Sequence, residues 1–473
     1  MTASPEIDTA AIAREGGLHR TLGKRQITMI GLGGAIGTGL FMGSGIAIGY
    51  AGPAVLLSYG IAALIAVIMV FSLSEMAVVH PTAGSFGTYA EIYLGRFAGF
   101  LIRYTYWIQQ VLLIGSEAVA IGTYMRFWFP DVPVWLSALG FSGGVIWLNS
   151  RPVRNFASVE YWLTVIKVTA IVLFIIVGGS RILGVGGAPV GLHNVTGLPG
   201  GFIPNGFSGV WMGVLMALFS FLGLEFVVAT AGEAENPREA IPAALRTMAA
   251  RLFLFYVLAL FIIIAFMPWR EAGAKVVTES PFVRMFGAAG IPYAAGVMNF
   301  VVASAALSAM NTSLYLASRM LFSLSRGGYA PRSFGQLNAG GVPMAATLLS
   351  GACVLLAGSL AMLTPLAYNY LFGIALFGGI LTWSSILASH LVFRRRHPAA
   401  NLPVKMPFFP VAQLVGLALL AAITATMAFD HEFWDVAVIA GVPWCLFVAL
   451  VYWLWSRRKG PGEATAPSVS ASA

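Results

Sequence analysis

The chain has 473 residues, of which 58% are hydrophobic and only 10% charged. A soluble domain carries about 25% charged residues, so this composition excludes a soluble globular protein and leaves a polytopic membrane protein. The net charge of +9 is spread through short loops rather than gathered in one patch, which excludes nucleic acid as a partner and makes the basic residues a record of orientation.

Residues 1–26 are polar, with Glu6, Asp8, Arg14, Glu15 and Lys24 and no apolar core. They read as a cytoplasmic segment rather than a cleavable signal. A spanning helix needs about 20 apolar residues. Twelve such stretches are predicted, at 27–50, 53–79, 97–126, 132–149, 157–179, 207–231, 243–267, 290–318, 344–364, 367–392, 407–428 and 434–456. The expected fold is therefore all-α. Residues 27–392 form the core, and 393–456 carry two further helices. Residues 457–473, rich in Gly, Pro, Ala and Ser, read as a disordered cytoplasmic tail. Cys353 and Cys445 lie inside apolar runs and read as inert buried thiols.

Twelve spans put both termini on one side. With the N-terminus inside, 21 of the basic residues fall in cytoplasmic segments, Arg103 and Arg319 among them. The opposite side holds Arg126, Arg181, Arg270, Lys275 and Arg284, and Lys167 lies within a span. This bias predicts cytoplasmic termini in a plasma membrane.

The first span contains Gly34-Ala35-Ile36-Gly37-Thr38-Gly39, and the sixth contains Ser220-Phe221-Leu222-Gly223-Leu224 followed by Glu225. Glycine lowers helix stability by roughly 1 kcal/mol relative to alanine. Irregular backbone at membrane depth persists only inside protein or beside a cavity. Two interruptions at corresponding places in two halves point to five helices followed by five of inverted topology, over approximately 27–179 and 207–392, with a substrate site between them. At the first break, the second half-helix starts near Thr38 and Gly39, where free N–H groups suit a carboxylate. The first half-helix ends near Ala35 and Ile36, where free carbonyls suit an ammonium. The second break frees carbonyls near Phe219, Ser220 and Leu222. Gly37 belongs to the same site, although glycines in such spans also serve close helix packing.

Charges at membrane depth cost ~3 kcal/mol or more and are functional candidates by default. Glu117, Lys167 and Glu225 stand out, and Glu75 lies at the inner end of the second span. A lysine at that depth can couple its protonation to conformation, or it can form a structural pair with a glutamate. Glu225 reads as a gate or proton carrier, or as a cap for its own broken helix. Glu117 lines the side-chain pocket, pairs with Lys167, or does both, and Glu75 reads as an anchor. Ser304, Ser308 and Asn311 share a helix face and either line the pathway or hydrogen-bond between helices.

Several stretches resemble the amino-acid permeases. They are Ile30-Gly31-Leu32-Gly33-Gly34-Ala35-Ile36-Gly37-Thr38-Gly39-Leu40-Phe41, Ser74-Glu75-Met76-Ala77, and His80-Pro81-Thr82-Ala83-Gly84-Ser85-Phe86. Ala231-Gly232-Glu233-Ala234-Glu235-Asn236-Pro237 and Ser389-His390-Leu391-Val392-Phe393-Arg394-Arg395 continue the match. Together they are similar to the bacterial amino-acid transporter branch of the amino acid–polyamine–organocation superfamily. The resemblance implies a leucine-transporter-like five-plus-five fold and import of an amino acid with protons. It implies ammonium binding at carbonyls of Ala35, Phe219 and Leu222, and carboxylate binding at Thr38 and Gly39. It sets Phe219 over the substrate as a gate and Lys167 where sodium-coupled relatives bind a cation. No cofactor beyond a proton gradient is implied; the partners are an amino acid, protons and the bilayer.

An exchanger without proton coupling is the second transport reading. A membrane enzyme would need clustered nucleophile or metal chemistry, and the histidines show no such spacing, so no enzyme is expected. Phe219, Leu222 and Ile36 point to neutral or aromatic substrates, whereas Glu117 and Glu225 suggest cationic ones.

Overall fold

In hydrocarbon every backbone N–H and C=O must find a partner within the protein. This chain meets that demand with helices, and among the described residues there is no strand. The computed structural model describes residues 12, 23–82, 84–185, 189–273, 280–288, 293–397, 402, 405–430 and 435–458. Most of the predicted N-terminal segment and the predicted tail from 459 lie outside the described residues.

The first span is α1 (Lys24–Ala35), a bend at Ile36 and Gly37, a π-helical turn (Gly39–Gly43), and α2 (Ser44–Ala51). Then come α3 (Val55–Val79), α4 (Ser85–Leu94), α5 (Arg96–Met125), α6 (Val134–Asn149) and α7 (Val153–Ile182). The sixth span is α8 (Gly206–Ser220), a turn over 221–225, α9 (Phe226–Ala229) and a 3₁₀ turn (Thr230–Glu233). Next are α10 (Pro237–Phe266), α11 (Pro281–Ala288), α12 (Ala294–Arg326), α13 (Met344–Ser359), α14 (Ala367–Arg396), α15 (Val411–Phe429) and α16 (Asp435–Arg458). Pro237 starts α10, since proline at the first turn has no N–H to lose.

Seven helical stretches among the described residues are long and apolar enough to cross a membrane, and three shorter apolar helices accompany them. The 30-residue α5 is not among the seven, although it is long enough. Arg103, Gln109, Gln110 and Glu117 make it too polar for lipid, and all four are buried against protein. α5 packs along α12 and α14, and α8, α10 and α14 each pack against α3. α16 exposes Ile439, Leu446, Phe447 and Leu450 on its outer surface, the pattern of a helix facing acyl chains.

Two arginines counted as cytoplasmic loop charges are instead buried in helices. Arg103 donates to Glu91 Oε2 at 2.8 Å, to Ser323 Oγ at 2.8 Å and to Thr88 Oγ1 at 3.0 Å. Arg319 donates to Glu233 Oε1 at 2.8 Å and lies 3.6 Å from the Tyr315 ring centroid. The eighth span was expected to end at 318, but α12 continues to Arg326 because Leu321, Phe322 and Leu324 keep its buried face apolar. Glu75 takes the anchoring position expected of it: it accepts from His390 Nε2 at 2.9 Å and from the Met406 amide, and Arg394 Nε lies 3.1 Å away.

Removing one partner of a buried ion pair strands the other charge. Arg103→Ala should lower unfolding free energy by about 3–5 kcal/mol, read by denaturant titration in mixed micelles. The Arg103→Ala/Glu91→Ala double variant should lose less than the two single variants combined, since both break one interaction.

Candidate functional site

The two breaks press against each other. A Cβ added at Gly39 would lie 2.8 Å from Ser220 Cα, main chain against main chain. The Ser220 hydroxyl donates to Gly39 O at 2.7 Å and lies 3.0 Å from Tyr59 Oη. Tyr256 Oη donates to Ser220 O at 2.8 Å. Two of the carbonyls expected to be free in the sixth span are therefore taken, Ser220 O by a tyrosine of α10 and Phe219 O by the Leu222 amide at 3.1 Å. Phe219 is buried with its ring 4.8 Å from that of Phe372, and Leu222 packs against α14 at Gly379.

The first break carries opposite chemistry on its two sides, and protein charges hold both. Helical winding resumes at Thr38, whose amide donates to Glu117 at 3.2 Å and 3.3 Å, one distance for each carboxylate oxygen. The Thr38 hydroxyl is 3.2 Å from Tyr368 Oη. On the other side, Lys167 Nζ donates to Gly33 O, to Ile36 O at 2.9 Å and to Ser308 Oγ at 2.8 Å. A carboxylate thus sits on the electropositive start of one helix and an ammonium on the electronegative end of the other, as the helix dipoles favour. Ala35 and Gly37 lie between them, and Gly37 abuts both Glu117 and Ala309.

Neither side-chain pairing weighed for Glu117 and Lys167 occurs directly. Lys167 has no glutamate oxygen within ion-pair distance among the described residues; it meets carbonyls and a hydroxyl instead. Glu225 is held by three donors: Gly223 N at 3.1 Å, Tyr106 Oη at 3.2 Å and Trp383 Nε1 at 3.3 Å. It caps the turn of the sixth span and ties that turn to α5 and α14. Ser308 and Asn311 make contacts between helices, whereas the Ser304 hydroxyl bonds within its own helix.

One buried carboxylate went unread in the sequence. Glu160 on α7 is fully buried and accepts from Asn311 Nδ2 at 3.1 Å and from Ser308 Oγ. Its signal was the spacing Glu160, Thr164, Lys167, which lines one helix face.

A cavity of about 1050 Å³ opens at the Met125 end of α5, lined by Val119, Tyr124, Arg126, Arg284 and Asn299 among others. The residues of the two breaks are not among those lining it; Val119 is two positions from Glu117. Among the described residues no His, Cys, Asp or Glu cluster fit for a metal occurs.

The amino acid permease family profile matches residues 26–464. The chain is 41% identical to an uncharacterised amino acid permease, YtnA, of Bacillus subtilis, covering 92% of this chain and 95% of the relative. It is 37% identical to the gamma-aminobutyric acid permease of the same organism, covering 96% and 97%. It is 38% identical to the aromatic amino acid transport protein AroP of Escherichia coli, covering 87% and 90%.

Proposed function

The chain belongs to the amino acid permease family, and from that premise we propose that it is a secondary transporter importing an amino acid with protons by alternating access. It is an integral membrane protein whose relatives are permeases. In our reading it has twelve spans in the bacterial plasma membrane, two inverted five-helix repeats with helices 1 and 6 broken, two added helices and cytoplasmic termini. The cavity beside Arg126 and Arg284 then opens to the outside.

One observation carries the proposal: Glu117 holds the Thr38 amide while Lys167 holds the Ile36 carbonyl. A side-chain carboxylate and a side-chain ammonium occupy the same two poles that an α-amino acid would present on one carbon. A substrate carboxylate arriving at Thr38 and Gly39 meets a like charge on Glu117, and two carboxylates at one helix start repel unless one is protonated. Proton uptake by Glu117 relieves that repulsion and frees the Thr38 amide. Binding is thereby linked to protons without a cofactor. The substrate ammonium goes to carbonyls of Ala35, Phe219 and Leu222, with Ile36, Gly37 and Ser220 closing the site. Phe219 on Phe372 covers it, and Glu225 fixes the turn beneath. Phe219, Leu222 and Phe372 favour a neutral or aromatic side chain.

Purified protein in liposomes, given an inward proton gradient and a panel of labelled phenylalanine, tryptophan, γ-aminobutyrate, histidine and threonine, tests the proposal. At least one amino acid should accumulate, and collapse of the gradient should abolish accumulation. Uptake that needs internal amino acid and ignores the gradient would instead establish an exchanger. Glu117→Gln should bind that amino acid with an affinity that no longer changes with pH. An unchanged pH dependence in this variant would remove Glu117 from the coupling.

A further inference from the structure

Glu160 has no part in the site just described, yet it is a fully buried carboxylate. Its surroundings connect it to Lys167. Lys167 Nζ donates to Ser308 Oγ at 2.8 Å, and the Ser308 hydroxyl in turn donates to Glu160 Oε1. One hydroxyl therefore bridges the ammonium and the carboxylate. Glu160 Oε2 accepts from Asn311 Nδ2 at 3.1 Å, and Asn311 Oδ1 accepts from Asn149 Nδ2 at 2.9 Å. Thr164, between Glu160 and Lys167 on α7, donates to Met29 O of α1 at 3.2 Å. A Cβ at Gly33 would collide with the Glu160 carboxylate and the Thr164 hydroxyl, so both side chains lie close against α1 at this glycine. Among the described residues Lys167 is the charged group whose field reaches Glu160, and Glu117 on α5 is the other carboxylate whose field reaches Lys167. Ser308 and Asn311 of α12 and Asn149 of α6 are uncharged.

We propose that Glu160 is the acceptor through which Lys167 discharges its proton toward the cytoplasm, with Ser308 as the relay. This rests on the proton-symport reading. An N–H proton of Lys167 passes to the Ser308 oxygen as the Ser308 O–H proton passes to Glu160. The products are a neutral amine, a re-formed hydroxyl and a neutral carboxylic acid, so no net charge is created in the membrane interior. The proton crosses two hydrogen bonds, from Lys167 through Ser308 to Glu160, and Glu160 precedes Lys167 by seven residues, toward the end of α7 that the basic residues assign to the cytoplasm. A neutral Lys167 holds Gly33 O and Ile36 O less strongly than an ammonium does, because hydrogen bonds from charged donors are roughly twice as strong. Proton discharge thus loosens α1, the half-helix on the cytoplasmic side of the break. Glu160 acts on α1 through Lys167 and touches no substrate; it is a positioning residue.

The test uses full-length protein in liposomes and the labelled amino acid that wild type accumulates best from the panel. Glu160→Gln keeps an acceptor for Ser308 but takes no proton. It should lose about 100-fold in gradient-driven net uptake, within the range of a removed proton-transfer group, while keeping substrate binding and exchange against internal substrate. Ser308→Ala leaves both charges and cuts the relay, so it should show the same split, and Ser308→Thr should restore net uptake. If Glu160→Gln does not fold, the Ser308 pair decides alone. Net uptake by Glu160→Gln or Ser308→Ala with the wild-type rate and pH profile would overturn the relay while leaving symport standing. Absence of gradient-driven accumulation by wild type would instead remove the symport reading beneath it.

Discussion

Gly39→Leu should abolish amino-acid uptake while the protein still reaches the membrane in normal amount. A Cβ at this position would stand 2.8 Å from Ser220 Cα and 3.3 Å from Phe219 Cδ1. The first of these atoms is backbone and cannot rotate away. To accept a leucine, the π-helical turn and the end of α8 must part. That would break the Ser220–Gly39 hydrogen bond and the alignment of Thr38 with Glu117. Overpacking costs about 1–3 kcal/mol, which a large membrane protein can survive. A shift of about 1 Å in a substrate-positioning group can by itself cost about 100-fold in rate. The measurements are labelled uptake in liposomes and the amount of folded protein by size-exclusion chromatography. Normal uptake by folded Gly39→Leu protein would place substrate recognition elsewhere.

The second large effect is expected at Lys167. Its ammonium is the donor that meets Gly33 O, Ile36 O and Ser308 Oγ together. Lys167→Ala leaves those acceptors buried without that donor, and each unsatisfied polar group costs about 1–3 kcal/mol. Concentrative uptake under a proton gradient should disappear. Substrate binding should persist, because the Thr38 amide and the sixth-span turn are held by other residues. Equilibrium binding of labelled substrate beside gradient-driven accumulation separates the two effects. A Lys167→Ala protein that still concentrates substrate would exclude the lysine from coupling.

The sequence exposed the broken spans because their glycines are clustered where a stable helix has no use for them. Lys167, Glu117 and Glu225 were visible because each interrupts an apolar run. What each of them bonds was not legible. Glu117 meets Thr38 across 79 residues of sequence, a contact set by how α5 approaches the first break rather than by any local pattern. Glu160 was passed over because it falls near the expected start of its span, where a carboxylate looks like a boundary residue. Only its helical spacing to Lys167 marked it. Arg103 and Arg319 were misread for the same reason: a basic residue one or two turns inside a helix end cannot be told from a loop charge until its glutamate is located. The cavity beside Arg126 had no sequence signal, since its wall comes from the ends of several helices far apart in the chain.

The contact between Gly39 and Ser220 also governs how this chain can diverge. The obstructing atom opposite Gly39 is Cα, which every amino acid carries, so no replacement at position 220 makes room for a side chain at 39. Compensation by the facing residue, the usual escape from a packing defect, is closed here. Position 39 is therefore barred to mutational drift in any descendant that keeps the two half-helices at this separation, whereas Phe219 and Leu222 beside it meet Phe372 and α14 through side chains, where a change on one side can be answered by a change on the other.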